Sequence, residues 1–335
     1  MQFESEKLAT LFEPYAGRKV LFGVLNWGLG HATRCVPLIR AALHVGCQVQ
    51  ICSDGQALMV LQAYFPNLSF HQIPAYNVDY KRKLWLWDMV LQSPKIGSAI
   101  IAEYLWLHSF LKTESFDLII SDNRYGFFSP SRKSVLITHQ LSQPLLPTIM
   151  NWGFELLVDF WASNFHELWI PDHPGSKWTG GLTTRVQNQP KIKWLGLLSA
   201  LESQGAPMYH SDLLIVLSGP EPNRTAFERK ICRWLDKKKL CATLIRGTLA
   251  PFEYKLENVK VIDRIHDSEL AGWMLGAKRI ICRSGYSSIM DLILLDKNDV
   301  CLVPTSGQIE QIYLAKWLKG KTNWNVWSED DFDIL

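Results

Sequence analysis

Residues 19–25, KVLFGVL, run straight into residues 26–31, NWGLGH, after which apolar residues recur at helical spacing to about position 45. An almost wholly apolar run of this length, bounded by turn residues, predicts a strand buried on both faces. The glycines behind it let the chain turn sharply and start a helix close to the strand end. Strand, glycine loop and helix together open a parallel α/β sheet. The alternation continues outward from this stretch, with strands predicted at 48–52, 117–121, 135–138 and 168–171 and helices at 56–65, 96–112 and 149–163.

Residues 199–211, SALESQGAPMYHS, have no period and mark a linker, which divides the chain into domains at 1–198 and 212–335. Beyond the linker the pattern restarts. Strands are expected at 212–217, 242–246, 260–263, 279–282 and 300–303, and helices at 224–237, 267–275, 286–295 and 308–318. Two Rossmann-like halves facing each other across a cleft are the expected architecture, and 335 residues suffice for two such cores.

Thirty-five Lys and Arg against 32 Asp and Glu leave a net charge of +3, too small for a protein whose main partner is a nucleic acid. The seven cysteines, at 35, 47, 52, 232, 241, 282 and 301, show no metal-ligand spacing and read as reduced core residues. The first residues lack a basic head and apolar run, and the longest apolar stretch, 96–111, is broken by Glu103 and His108. A cytoplasmic protein without a membrane span is expected.

The polar residues at predicted strand ends are the candidate site, because ligands of parallel sheets collect at carboxyl ends. Gly28 and Gly30 suit close approach of a ligand, and the helix start offers free N–H groups to an anion. The third glycine of a dinucleotide fingerprint is replaced by Thr33, which disfavours a nicotinamide cofactor. His31 at the positive helix end should be held neutral and able to accept a proton, although a capping or core histidine would look the same. Asp122 and Asn123 after one strand, and His139 and Gln140 after the next, should share the cleft with His31 on the acceptor side. Asp122 can orient a histidine or bind a sugar hydroxyl.

In the second half, Ser218 and Gly219 open a turn suited to phosphate, with Arg224 as a positive partner. Residues 282–291, CRSGYSSIMD, end a strand in a glycine turn whose small hydroxyl residues start a helix, with Asp291 two turns along. Residues 304–311, PTSGQIEQ, carry Gln308, Glu310 and Gln311, donors and acceptors suited to sugar hydroxyls.

These motifs resemble the donor-binding half of GT-B glycosyltransferases related to the UDP-N-acetylglucosamine transferase of peptidoglycan synthesis, whose C-terminal domain is of the family 28 kind. The GLGHATR loop resembles that enzyme's glycine-rich loop ending in His, and the order of elements agrees over roughly residues 18–318. The resemblance implies a GT-B fold, with Asp291 at the ribose, Ile265 at the base, and Ser284, Gly285, Ser287 and Ser288 beside the diphosphate with Ser218 and Gly219. It also implies sugar contacts from Glu310 and Gln311, inversion at the anomeric carbon, and no metal or other cofactor. No DxD stands at a predicted strand end, since Asp330, Asp331 and Asp333 lie in the tail, where they read as solvated acids. Asp stands at 291 where the relative has Glu, and Gly-Pro-Glu-Pro replaces its glycine-rich phosphate turn, so the nucleotide stays open between UDP and others.

The expected reaction is hexosyl transfer from a nucleotide sugar to an acceptor hydroxyl. His31 takes the proton, Asp122 steadies it, and helix N-termini with Arg224 or Arg283 meet the departing charge. GLGHATRC with LIISD (118–122) also resembles UDP-sugar hydrolases of nonulosonic acid synthesis, which transfer the sugar to water. A nucleotide-sugar binding protein without chemistry is the remaining alternative. On the acceptor side, residues 80–87, YKRKLWLW, set three cations beside two Trp, with Trp106 beyond. That grouping suits contact with an anionic membrane at the inner face and a lipid-linked acceptor, against the plainer reading of a core helix with a solvated loop. Trp152, Phe154, Trp161 and Phe165 form another aromatic group near the expected acceptor side, where rings can stack on sugar faces, although their spacing favours core packing. Nine of the fourteen Trp precede residue 197.

Overall fold

The computed structural model describes residues 2–76, 85–184, 191–201, 208–219 and 221–334. The chain divides into two compact units, Met1–Leu198 and Ser199–Leu335.

The first unit carries strands β1 (Lys19–Val24), β2 (Gln48–Ser53), β3 (Ser69–Gln72), β4 (Leu118–Asp122), β5 (Lys133–Ile137), β6 (Glu167–Ile170) and β7 (Ile192–Trp194). They pair in parallel in the order β3-β2-β1-β4-β5-β6-β7. Helices α1 (Gln2–Thr10), α2 (Leu29–His44), α3 (Gly55–Tyr64), α4 (Trp85–Phe110) and α5 (Thr148–Ala162) accompany them. Val20, Leu21, Phe22 and Val24 of β1 are fully buried, as an apolar run at the centre of a parallel sheet must be. Two short strands, β3 and β7, have no counterpart in the sequence reading. They are half-exposed, and SFHQ and IKW contain no continuous apolar run. Helix α4 starts at Trp85 instead of 96 and carries Pro94 inside it.

The second unit repeats the plan with β8 (Ser211–Val216), β9 (Ala242–Ile245), β10 (Val259–Ile262), β11 (Ala277–Cys282), β12 (Val300–Leu302) and β13 (Asn325–Val326), parallel in the order β10-β9-β8-β11-β12-β13. Its helices are α6 (Asn223–Lys238), α7 (Asp267–Gly276), α8 (Tyr286–Leu294), α9 (Ile309–Lys319) and α10 (Asp331–Ile334). The core gathers Ile215, Phe227, Ile231, Leu244, Ile281 and Val303, closed by Phe332 of α10. Each such side chain contributes roughly 1.5–3 kcal/mol by leaving water.

One expectation changes here. The described ends of 199–211 are packed against the second unit: Ala200 and Leu201 are buried, and the Tyr209 ring stacks on Trp273 at 4.4 Å. Met208 in the same stretch stays exposed, and residues 202–207 lie outside the described residues. The tail acids stay at the surface, as expected, while pairing there: Lys230 Nζ reaches the exposed Asp330 at 2.7 Å and the exposed Asp333 at 3.2 Å, and Asp331 accepts from the Ser328 amide.

Candidate functional site

In each unit the strand order reverses between two neighbours, β1 and β4 in the first and β8 and β11 in the second. Ligands of open α/β sheets bind beyond the carboxyl ends at such a switch. Gly28 follows β1 at φ 90°, a backbone angle that a side chain would strain, and caps α2 so that Leu29, Gly30 and His31 form its first turn. That turn carries His31 to the end of β4. His31 Nδ1 lies 2.8 Å from Asp122 Oδ2.

Arg34, one turn along α2, completes the cluster. Its Nε–H donates to Asp122 Oδ1 at 2.8 Å, and its Nη2 donates to the same oxygen. Nη2 also lies 2.9 Å from His31 Nδ1, and Nη1 lies 2.7 Å from His139 Nδ1 beyond β5. Asp122 and Arg34 are almost fully buried and His31 retains 13% exposure, so of the three only the histidine meets solvent. Burial alone would raise the Asp122 carboxyl, but Arg34 and His31 hold it below its usual value. The His31 pKa is lowered, chiefly by burial and then by Arg34, with Asp122 opposing. The helix end invoked from sequence is therefore not the main cause. Asn123 follows with φ 53° and a buried Oδ1 that has no partner among the described residues, whereas Gln140 is half-buried with its amide on Thr138 Oγ1 at 3.1 Å.

A second buried charge cluster braces these strand ends from behind. Arg124, 0% exposed, donates to Glu103, to Asp54 Oδ1 at 2.8 Å, and to the carbonyls of Val24 at 3.1 Å and Pro74 at 2.6 Å. Tyr76 donates to Glu103 at 2.9 Å, and Asn26 donates to Asp54 at 3.1 Å. One guanidinium thus ties the ends of β1, β2 and β4, the loop after β3, and α4. Full hydrogen bonding is what makes such buried charge tolerable.

In the second unit Ser218 and Gly219 follow β8, Ile265 stands between β10 and α7, and Ser284 and Gly285 follow β11. Gly285 caps α8, which puts Tyr286, Ser287 and Ser288 in the first turn, where backbone N–H groups have no partner within the helix. Ser284 Oγ donates to the Gln311 carbonyl at 2.9 Å, and Gln311 Oε1 accepts from the Thr305 amide at 2.9 Å. Gln311 Nε2 donates to Gln308 Oε1 at 2.5 Å, so these two amides brace the loop into α9, with Glu310 half-exposed in its first turn. Asp291 accepts from Ser199 Oγ, and burial pushes its carboxyl up to about 7.

The two arginines expected at the diphosphate are engaged elsewhere. Arg224 is buried, donating to Glu221 at 2.7 Å and to Glu228 at 3.1 Å. Arg283 has a side chain 1% exposed, pairs with Glu329 at 2.7 Å, and lies 3.9 Å over the Phe227 ring. A strand-end arginine with a carboxylate and an aromatic ring in reach is drawn into the core, and neither presents a free cation.

Sequence reasoning missed Arg34, although its i+3 spacing from His31 puts both on one helix face. It also mistook Trp152, which is 60% exposed; Phe165 is buried, and Phe154 and Trp161 pack at the core edge. Trp106 stacks on Phe110 at 5.1 Å. Residues 80–84 of the basic aromatic stretch lie outside the described residues.

No family model and no curated protein matches the chain. Solved structures do. The kitacinnamycin glycotransferase superposes with a TM-score of 0.65 at 13% identity, covering 93% of this chain and 86% of that one. The glycosyltransferase SnogD from Streptomyces nogalater gives 0.62 at 15% identity over 94% and 88%. The spinosyn rhamnosyltransferase SpnG complexed with thymidine diphosphate gives 0.62 at 12% identity over 92% and 86%. The chain has the GT-B fold of these glycosyltransferases. The narrower resemblance to the peptidoglycan transferase rests on the sequence motifs alone.

Proposed function

We propose that the protein is an inverting, metal-independent glycosyltransferase that moves a hexosyl group from a nucleoside-diphosphate sugar to an acceptor hydroxyl. The observation that carries this reading is the 2.8 Å contact between His31 and Asp122 at the switch point of the first sheet. Asp122, held ionised by Arg34, can only accept, so the contact is a hydrogen bond when Nδ1 carries the proton. That leaves the lone pair on Nε2, and burial keeps the ring neutral. His31 Nε2 then takes the acceptor hydroxyl proton, the oxygen bonds to the anomeric carbon, and the bond from that carbon to the phosphate oxygen breaks. The positive N-terminal end of α8 meets the diphosphate as its charge grows. A single displacement with a single base inverts the centre.

The fold shared with glycosyltransferases supports the donor class, and SpnG was solved with thymidine diphosphate, so UDP and TDP sugars are the donors to try. The family 28 motifs favour UDP-N-acetylglucosamine among them. For the acceptor, α5 supports an apolar or lipid-linked molecule and peripheral membrane contact. Its Ile149, Trp152, Leu157 and Phe160 are 77%, 60%, 54% and 64% exposed, while Asn151 and Glu155 are half-buried and bonded to each other at 2.9 Å. The helix is apolar on both sides, with Val158, Phe154 and Ala162 packed inward and a second apolar face left outward.

Incubating the purified protein with UDP and TDP sugars and an acceptor panel tests the reaction. His31→Ala is expected to cut turnover by about 10²–10⁴. Transfer by His31→Ala at the wild-type rate would remove His31 as the base. Free sugar released at the full rate with no acceptor present would replace transfer by hydrolysis.

A further inference from the structure

We propose that Arg34 is a positioning residue that sets opposite proton patterns on two histidines, protonating His31 on Nδ1 through Asp122 and His139 on Nε2 directly. The inference rests on the reading of His31 as a base and deepens it. A guanidinium only donates, so at 2.7 Å from His139 Nδ1 it requires a lone pair there, and the neutral ring carries its proton on Nε2.

At His31 two demands compete for one nitrogen. Nη2 at 2.9 Å offers a proton, while Asp122 Oδ2 at 2.8 Å asks for one. Arg34 decides this contest against its own contact. Its two bonds to Asp122 Oδ1 keep the carboxylate ionised, and a buried carboxylate oxygen facing a lone pair would forfeit a charge-assisted hydrogen bond, stronger than a neutral one. Nδ1 therefore carries the proton. The guanidinium beside it then opposes a second proton on the ring, which keeps Nε2 available to an acceptor. Among the described residues, Arg34 on α2, Asp122 at the end of β4 and His139 after β5 act on the His31 ring, and Cys35 on α2 and Tyr125 beyond β4 lie near Asp122 and Arg34. Burial raises the Cys35 thiol and pushes Tyr125 up to about 12, so neither carries charge at neutral pH.

Nitrogen-15 NMR of the imidazoles, assigned by His31→Gln and His139→Gln, reads the tautomers without substrate. Wild type is expected to show Nδ1 of His31 protonated and Nδ1 of His139 bare. In Arg34→Met the His139 preference should vanish and the His31 midpoint should rise by ~1 unit, because a repelling cation is gone. The acid limb of kcat/KM should move up with it, which a purely structural loss would not cause. Arg34→Lys keeps the charge without the fork, so it should keep the low His31 midpoint and lose the His139 preference. A wild-type His31 protonated on Nε2, or a wild-type His139 protonated on Nδ1, overturns the proposal and needs no variant. An unchanged midpoint and unchanged tautomers in folded Arg34→Met would also overturn it. The expected tautomers in a protein that transfers no sugar would overturn the functional reading and support the assignment to Arg34.

Discussion

His31 titrates below the ordinary histidine value of 6.5 because it is buried and has Arg34 beside it. A base with a lowered pKa is ready at lower pH, so the acid limb of kcat/KM should fall below 6.5; a limb at 7 or above would remove His31 from the free-enzyme profile. Asp291 shifts the other way. Its folded pKa of about 7 exceeds the 3.8 of the free side chain, so between those values the folded state holds more protons than the unfolded one. Stability from this group is full below 3.8 and is lost as pH rises through 7. Asp291→Asn should therefore raise Tm relative to wild type at pH ~8 and much less at pH ~5. An equal change at both would show that burial does not govern the carboxyl. The lowered histidine was foreseen from the helix start, but its causes were not, because burial and a cation from the next turn exist only once α2 has formed.

At the scale of elements, Arg124 and Gly126 join α4 to the sheet. Replacing Arg124 by Ala leaves Glu103 buried without its counter-charge, which should cost roughly 3–5 kcal/mol and lower Tm sharply. A Cβ at Gly126 would overlap the Ile100 carbonyl oxygen, so Gly126→Ala should cost about 1–3 kcal/mol by pushing the helix off the turn. Differential scanning calorimetry measures both. Helix α5 behaves differently. Trp152→Ser with Phe160→Ser removes two exposed rings and should leave the unfolding free energy within about 1 kcal/mol of wild type, with little change in Tm, while weakening sedimentation with lipid vesicles. A large loss of Tm would instead mark those rings as part of the packing. The apolar spacing of 149–163 announced a helix and was read as core, since a one-dimensional pattern does not say whether an apolar face meets the sheet or water.

For the molecule as a whole, the proposed function assigns donor recognition to the second unit and proton transfer to the first. A nucleoside diphosphate should slow hydrogen exchange in residues 284–288 and leave the start of α2 unaffected. At ~100 times Kd it adds about 2.7 kcal/mol to the stability of the unit it binds. Protection confined to residues 28–34 would reverse the assignment. A comparison of UDP with TDP in the same measurement names the base.

The sequence by itself determined the two parallel sheets, because β1, β4, β8 and β11 are apolar runs punctuated by glycine turns, and such runs have few other ways to bury themselves. It also placed His31, Asp122 and Ser284 near carboxyl ends, and Asp291 two turns into the helix that follows, since strand length and turn position are local properties. Only the tertiary structure decided which charges remain available. Arg224 and Arg283 look like phosphate ligands along the chain, yet Glu228 and Glu329 consume them, while Arg34, unremarked in the sequence, joins α2 to the ends of β4 and β5. The reason is physical: an ion's role depends on which opposite charge and how much water remain within a few ångströms, and those neighbours come from residues distant in the chain.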